Sequence, residues 1–262
     1  MNHKQVESPQ VSLAVLSALL LGCTVFLNVL WLLDDGDFRI LVTILAVSTF
    51  AFSSFFHAWS TLGRNFAFKL VAICFTLTFA IEAIGASTGF PFGNYSYGPD
   101  LGKQLLGVPL LIPAAWFMML YPSFIIGRLL TQNYLFSTII GAWLMATWDL
   151  YLDPQMVNVG YWTWFNDGNV ATTQIPLSNF FGWFFSSAVI IGLINLLPVT
   201  KSQNPHIRIP VIAVFWIWIG GFVANVVWFK PFLDQPLVGI SGAVGMALVL
   251  IPLGRVLWSQ RS

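Results

Sequence analysis

The sequence predicts an all-α protein, a polytopic membrane helix bundle with about eight transmembrane helices, forming a single integral membrane domain over residues 1–262. Three observations predict it. Only 8% of the residues are charged and 57% are hydrophobic, with mean hydropathy +0.80; soluble domains carry about 25% charged residues. Apolar runs of about 20 residues, the length a helix needs to cross a bilayer, recur eight times. The strand-sized alternation of a membrane barrel is absent, which excludes a β-barrel.

The runs fall at about 12–33, 38–59, 66–87, 105–127, 134–153, 177–197, 209–229 and 237–257. The first is too long for the apolar core of a cleavable signal, and no A-x-A site follows it. Pro109, Pro176 and Pro236 each open an even-numbered span. A first helical turn tolerates proline because its missing N–H would be unpaired anyway. Pro113 and Pro122 fall inside the fourth run and predict kinks. Most connections are short. The exceptions, 88–104 and 154–176, are aromatic and glycine-rich.

Lysine and arginine set orientation. With eight spans both termini share a side, which receives Lys4, Arg64, Lys69, Arg128, Lys201, Arg208, Arg255 and Arg261. The other side receives Arg39, Lys103 and Lys230. Both termini are therefore predicted to be cytoplasmic, with the chain in the cell (inner) membrane. Asp34, Asp35, Asp37, Glu82, Asp100, Asp149, Asp153, Asp167 and Asp234 then gather at or near the outer face, and only Glu7 does not. Asn28, Asn179 and Asn225 lie in outer span halves as well. The predicted polar interior is a pocket opening outward, not a pore.

Several function classes drop out. A net charge of +1 provides no field to draw nucleic acid. Cys23 and Cys74 lie in apolar runs and read as small hydrophobes. His3, His57 and His206 are far apart and form no metal-binding box. His57, near the inner end of its span, reads as structural. No glycine-rich nucleotide loop is present.

The candidate chemistry lies in four places. Glu82 sits near the end of the third run, before the loop GFPFGNYSYG at 89–98. A carboxylate at membrane depth costs about 2.5 kcal/mol or more, so it is a functional candidate by default. The ordinary alternative is a carboxyl tying two helices together. The loop reads as a cap folded back over a pocket. The second place is WDLYLDPQ at 148–155, where Asp149 and Asp153 are four residues apart. That spacing puts both on one helix face, about 6 Å apart. Two such carboxyls can divide their roles, one donating a proton while the other stays ionised. Asp153-Pro154 also reads as a helix stop. The third is the crowd of Tyr95, Tyr97, Tyr151, Tyr161, Trp162 and Trp164 on the outer side. Much of it is interfacial belt; the remainder can line a pocket and stabilise a cation. The fourth is Asn179 in PLSNFFGWF (176–184), either an interhelix bond or a holder of water. Together these point to acid–base chemistry on a lipid-soluble substrate, with no redox cofactor and no metal.

GFPFGNYSYGPDLGKQLLGVPLLIPAAWFMMLYPSF (89–124), AWLMATWDLYLDPQMVNVGYWTWF (142–165) and IPLSNFFGWF (175–184) resemble, in order, three blocks of the carotenoid biosynthesis membrane family that includes the carotenoid hydratases of the CruF type. The resemblance covers about 80–190. It implies cofactor-independent addition of water to the terminal C=C of an acyclic (ψ) carotenoid end, such as lycopene, γ-carotene or bisanhydrobacterioruberin, through a tertiary carbocation. Glu82, Asp149 and Asp153 match acidic positions of those blocks. Either Glu82 or Asp149 is the expected proton donor, the other acid helping to place water. Asn94, Tyr95, Tyr97, Trp148, Tyr151 and Asn179 are the expected substrate-binding residues. The implied partners are membrane lipid and a hydrophobic carotenoid, with association with other carotenoid-pathway enzymes.

Two other classes compete. A non-catalytic polyprenoid or lipid binder or transporter needs polar groups reachable from both sides, whereas these acids gather on one. A carotenoid cyclase-like enzyme shares the protonation step but excludes water. Prenyl transfer needs an Asp-rich metal–diphosphate motif, and DDGD at 34–37 is short and lacks a partner.

Overall fold

The computed structural model describes residues 9–33, 36–165, 175–198, 207–227 and 235–259. His3, Lys4, Glu7, Asp34, Asp35, Asp167, Lys201, His206, Lys230, Asp234 and Arg261 lie outside the described residues. The described residues contain eight helices long and apolar enough to cross a membrane. They are α1 (Pro9–Leu33), α2 (Asp37–Leu62), α3 (Arg64–Thr88), α4 (Ile112–Leu130), α5 (Tyr134–Asn158), α6 (Leu177–Asn195), α7 (Arg208–Val226) and α8 (Pro236–Ser259). Four short strands accompany them: β1 (Tyr95–Tyr97), β2 (Gln104–Leu105), β3 (Val108–Pro109) and β4 (Trp162–Trp164). The protein is an all-α membrane bundle.

Local chemistry sets the helix ends. Gly89, at φ 77°, closes α3 and donates its N–H to the Gly85 carbonyl at 2.8 Å, a left-handed cap that costs glycine little. Asn133 opens α5 by accepting the Phe136 N–H at 3.1 Å. Two boundaries differ from the sequence expectation. The fourth helix starts at Ile112, not near 105, because residues 104–109 fold as a β2–β3 hairpin. Leu106 and Gly107 take the positive φ values, 51° and 80°, of a tight hairpin turn. Pro109 therefore closes a strand, and Pro113 occupies the first helical turn instead of kinking the helix interior. Pro176 caps α6 and Pro236 begins α8, as expected.

The second difference is that α5 does not stop at Asp153-Pro154 but runs on to Asn158, with Pro154 inside it. The Asp153 carboxylate bonds outward, to Trp162, Trp164 and Asn179, rather than turning back on its own backbone. The usual competitor of helical hydrogen bonding is thereby removed.

α4 is the central helix, packed against α2, α3, α5, α6, α7 and α8. α1 lies against α2, where Ser17 and Ser53 each donate to the other's carbonyl, at 2.7 and 2.8 Å, and the Thr24 and Thr49 hydroxyls meet at 2.9 Å. Small hydroxylated residues let membrane helices approach and bond. Tyr151 fills a slot between α7 and α8. A methyl added at Gly221 or Gly242 would lie 2.6 or 2.5 Å from its ring, so both positions need the bare backbone.

The two long connections pair with each other. β1 and β4 are antiparallel, with Tyr95 opposite Trp164, Ser96 opposite Thr163 and Tyr97 opposite Trp162. Gly98 N–H donates to Tyr161 O at 2.8 Å and Phe165 N–H to Asn94 O at 2.9 Å, extending the ribbon at both ends. Strand alternation turns Tyr95 and Trp164 inward and leaves Ser96 and Thr163 exposed. The ribbon thus joins the segment after α3 to the segment after α5, over the end of the bundle where both helices finish.

Candidate active site

Beneath the ribbon lies a cavity with about 670 Å³ of empty space, part of it open to the exterior. Glu82 from α3, Asp149 and Asp153 from α5 and Asn179 from α6 all line it. Each is nearly inaccessible, 3%, 2%, 2% and 2% exposed. Acids 67 and 71 residues apart in the chain therefore face one space, because α3 and α5 both end under the ribbon.

The hydrogen bonds differentiate the three carboxyls. Glu82 Oε2 accepts the Tyr95 hydroxyl at 2.5 Å and the Tyr97 hydroxyl at 2.8 Å, and Oε1 accepts the Trp116 indole N–H at 2.8 Å. Asp153 Oδ1 accepts the indole N–H groups of Trp162 and, at 3.1 Å, Trp164, while Oδ2 accepts an Asn179 amide N–H at 2.8 Å. Both acids act only as acceptors, the pattern of carboxylates. Asp149 is different. Its Oδ2 accepts the other Asn179 N–H at 2.7 Å, and its buried Oδ1 accepts no hydrogen bond from the protein. One amide thus bridges the two aspartates and leaves a single carboxyl oxygen open.

Burial, reinforced by the neighbouring Glu82 charge, pushes the Tyr95 and Tyr97 phenols well above the ordinary phenol range. They remain protonated donors to Glu82. Indoles form the walls. Trp116 and Trp183 stack with centroids 4.0 Å apart at 6°, and Tyr95 packs against Trp164 at 5.1 Å. Phe92, Trp162, Met118 and Ile112 complete much of the lining.

The structure separates the sequence candidates. Glu82, Asp149, Asp153, Tyr95, Tyr97 and Asn179 line the cavity, whereas Asn94, Trp148 and Tyr151 do not. Asn94 is exposed at the end of the ribbon. Trp148 packs edge-on against Trp183 at 5.8 Å. Tyr151 is two residues from each aspartate, about 200° around the helix, and its hydroxyl donates to Trp218 O at 3.3 Å. Trp116 and Trp183 were not singled out from sequence. A buried indole N–H usually finds an acceptor, but Asp100 and Asp149 both lie nearer to Trp116 in the chain than Glu82 does, so sequence alone did not pair Trp116 with Glu82. Among the described residues no group of three or more His, Cys, Asp or Glu side chains is arranged to hold a metal ion.

The profile of the family described as "Carotenoid biosynthesis protein" matches residues 37–254. The chain belongs to the carotenoid biosynthesis protein family. The match runs from the start of α2 into α8 and includes every residue lining the cavity. A bisanhydrobacterioruberin hydratase of Haloarcula japonica is 33% identical over 134 residues, covering 48% of this chain and 44% of that protein. The match thus spans less than half the length of that relative. No solved structure matches the chain.

Proposed function

We propose that the protein is a carotenoid hydratase that adds water to the terminal C=C of an acyclic carotenoid end, with Asp149 as the proton donor. The observation that carries the assignment is the asymmetry of the carboxyls: Glu82 and Asp153 each accept three hydrogen bonds, and only Asp149 keeps an oxygen with no protein donor. A proton on Asp149 Oδ1 has no competing acceptor in the protein, so an alkene in the cavity is its natural target. The tertiary carbocation that results lies among indole faces, whose quadrupoles attract cations, and near two carboxylates. Capture by water gives a tertiary alcohol. The relative in Haloarcula japonica bears the name of a hydratase, which agrees with this chemistry, as does the gathering of the acids at one end of the bundle.

The test is expression in bacteria that accumulate lycopene or γ-carotene, with the carotenoids resolved by chromatography and mass. The expected result is a product heavier by one water from the intact chain and none above background from Asp149→Asn. No hydrated product from the intact chain with any acyclic carotenoid would refute the hydratase reading and leave binding or transport in its place. A fully active Asp149→Asn would move the donor role to another acid.

A further inference from the structure

The acids face a second cavity as well. It has about 350 Å³ of empty space, part of it open to the exterior, and is lined by Asp149, Asp153 and Asn179 again, with Leu150 and Pro154 of α5, Val238 and Ser241 of α8, and apolar side chains of α6 and the segment before it. Successive helical residues lie about 100° apart. Leu152 and Met156, which line the first cavity, therefore fall on one flank of the Asp149–Asp153 edge, and Leu150 and Pro154 on the other. The two aspartates and their shared amide form a partition. One space lies toward α2, α3 and α4, the other toward α8.

The two spaces differ chemically. The first is walled by stacked indoles and apolar side chains, a fit for a polyene end. The second is smaller and brings two carboxyls, an amide and the Ser241 hydroxyl together, and a buried water needs two to four polar partners. The open Asp149 Oδ1 belongs to a residue 2% exposed that borders both spaces.

We propose that the reacting water is supplied from this second cavity, so that polyene and water reach the aspartate partition from opposite flanks. The inference rests on the hydratase reading. The alkene π pair takes the Asp149 proton to form a C–H bond, which leaves the adjacent carbon cationic. A lone pair of the water then forms the C–O bond. The proton of the resulting oxonium returns to Asp149, directly or through Asp153, so the acid is restored and no co-reactant is consumed. Separate entry leaves the indole-walled cavity to the polyene and holds a water beside the cation.

The experiment fills and enlarges the second cavity in the full-length protein. Ser241→Phe should lower kcat by about tenfold or more, with KM and copurifying carotenoid, read by its visible absorption, little changed. Val238→Ala should admit a larger nucleophile: in buffer containing methanol, the ratio of methyl ether to alcohol should rise several-fold over the parent. Met118→Ala, which enlarges the first cavity, should leave that ratio as it was. An ether ratio that answers to Met118→Ala alone overturns the water route while the hydratase reading stands. So does unchanged kcat in Ser241→Phe. If Ser241→Phe loses its bound carotenoid, the ether ratio of Val238→Ala decides. An intact chain that forms no alcohol from any acyclic carotenoid removes both readings together.

Discussion

At the scale of single residues, Asp149 and Glu82 share one cavity yet call for different outcomes on neutralisation. Asp149→Asn should lower the hydration rate by about 10²- to 10⁴-fold, the usual contribution of a general acid, with thermal stability in detergent little changed, because only one of its oxygens is bonded. Glu82→Gln should act mainly on the fold. Its amide oxygen can still accept the Trp116 indole N–H, but its NH2 then faces the Tyr95 and Tyr97 hydroxyls, both aimed at that position as donors. One orphaned buried donor costs about 1–3 kcal/mol, which should appear as a lower thermal midpoint. The phenols on Glu82 add a pH signature. Both are raised above their unfolded value of about 10, so the folded state holds these protons more tightly. The stability they contribute is complete below that range and declines as pH rises beyond it. An alkaline titration followed by tyrosinate absorbance should show their ionisation arriving with unfolding. Intramembrane charge alone made Glu82 and Asp149 legible in the sequence. Their ranking was not, because it depends on which oxygens Tyr95, Tyr97, Trp116 and Asn179 reach, and spacing carries no information about that.

At the scale of elements, the apolar runs located all eight helices, and the misplaced start of α4 shows where hydropathy stops being informative. Residues 105–111 are apolar enough to extend a span, and only the turn at Leu106 and Gly107 makes them a hairpin. The β1–β4 pairing was beyond sequence reasoning for a different reason. Its strands have three residues each and their partners are more than 60 positions apart, so no periodicity announces them. The loop at 89–98 was legible as a cap, but its partner was not. The slot around Tyr151 is equally specific. Gly221→Ala or Gly242→Ala should lower the thermal midpoint, since overpacking a filled site costs about 1–3 kcal/mol. Neither should change which carotenoid end reacts, because Tyr151 lies on the face of α5 away from the cavity.

At the scale of the whole molecule, the helices alternate so that Arg64, Lys69, Arg128, Arg208 and Arg255 lie toward one end, and Arg39, Lys103 and the ribbon toward the other. From the charge bias we propose that the ribbon end lies outside the cell. A cysteine at Asp100, which is exposed beside the ribbon, should react with an impermeant thiol reagent from outside. One at exposed Gln132, between α4 and α5, should react only after the membrane is opened. The reverse pattern would invert the orientation. Gly98 is a poor place for such a probe, because a Cβ there would lie 2.8 Å from the Gly160 carbonyl.

The ribbon also bears on how the protein meets bilayers of different thickness. Transmembrane helices accommodate a mismatched membrane by tilting or shifting against one another. Here the ends of α3 and α5 that carry Glu82, Asp149 and Asp153 are tied by backbone hydrogen bonds between β1 and β4. Their opposite ends have no such strap among the described residues. Strain from a thinner or thicker membrane should therefore be taken up at the far side of the bundle. Vesicles made from lipids of increasing acyl length should change turnover little while the strap is intact. A Ser-Gly substitution across Tyr95–Tyr97 should make turnover depend on lipid length, over and above what it loses in hydrogen bonds to Glu82.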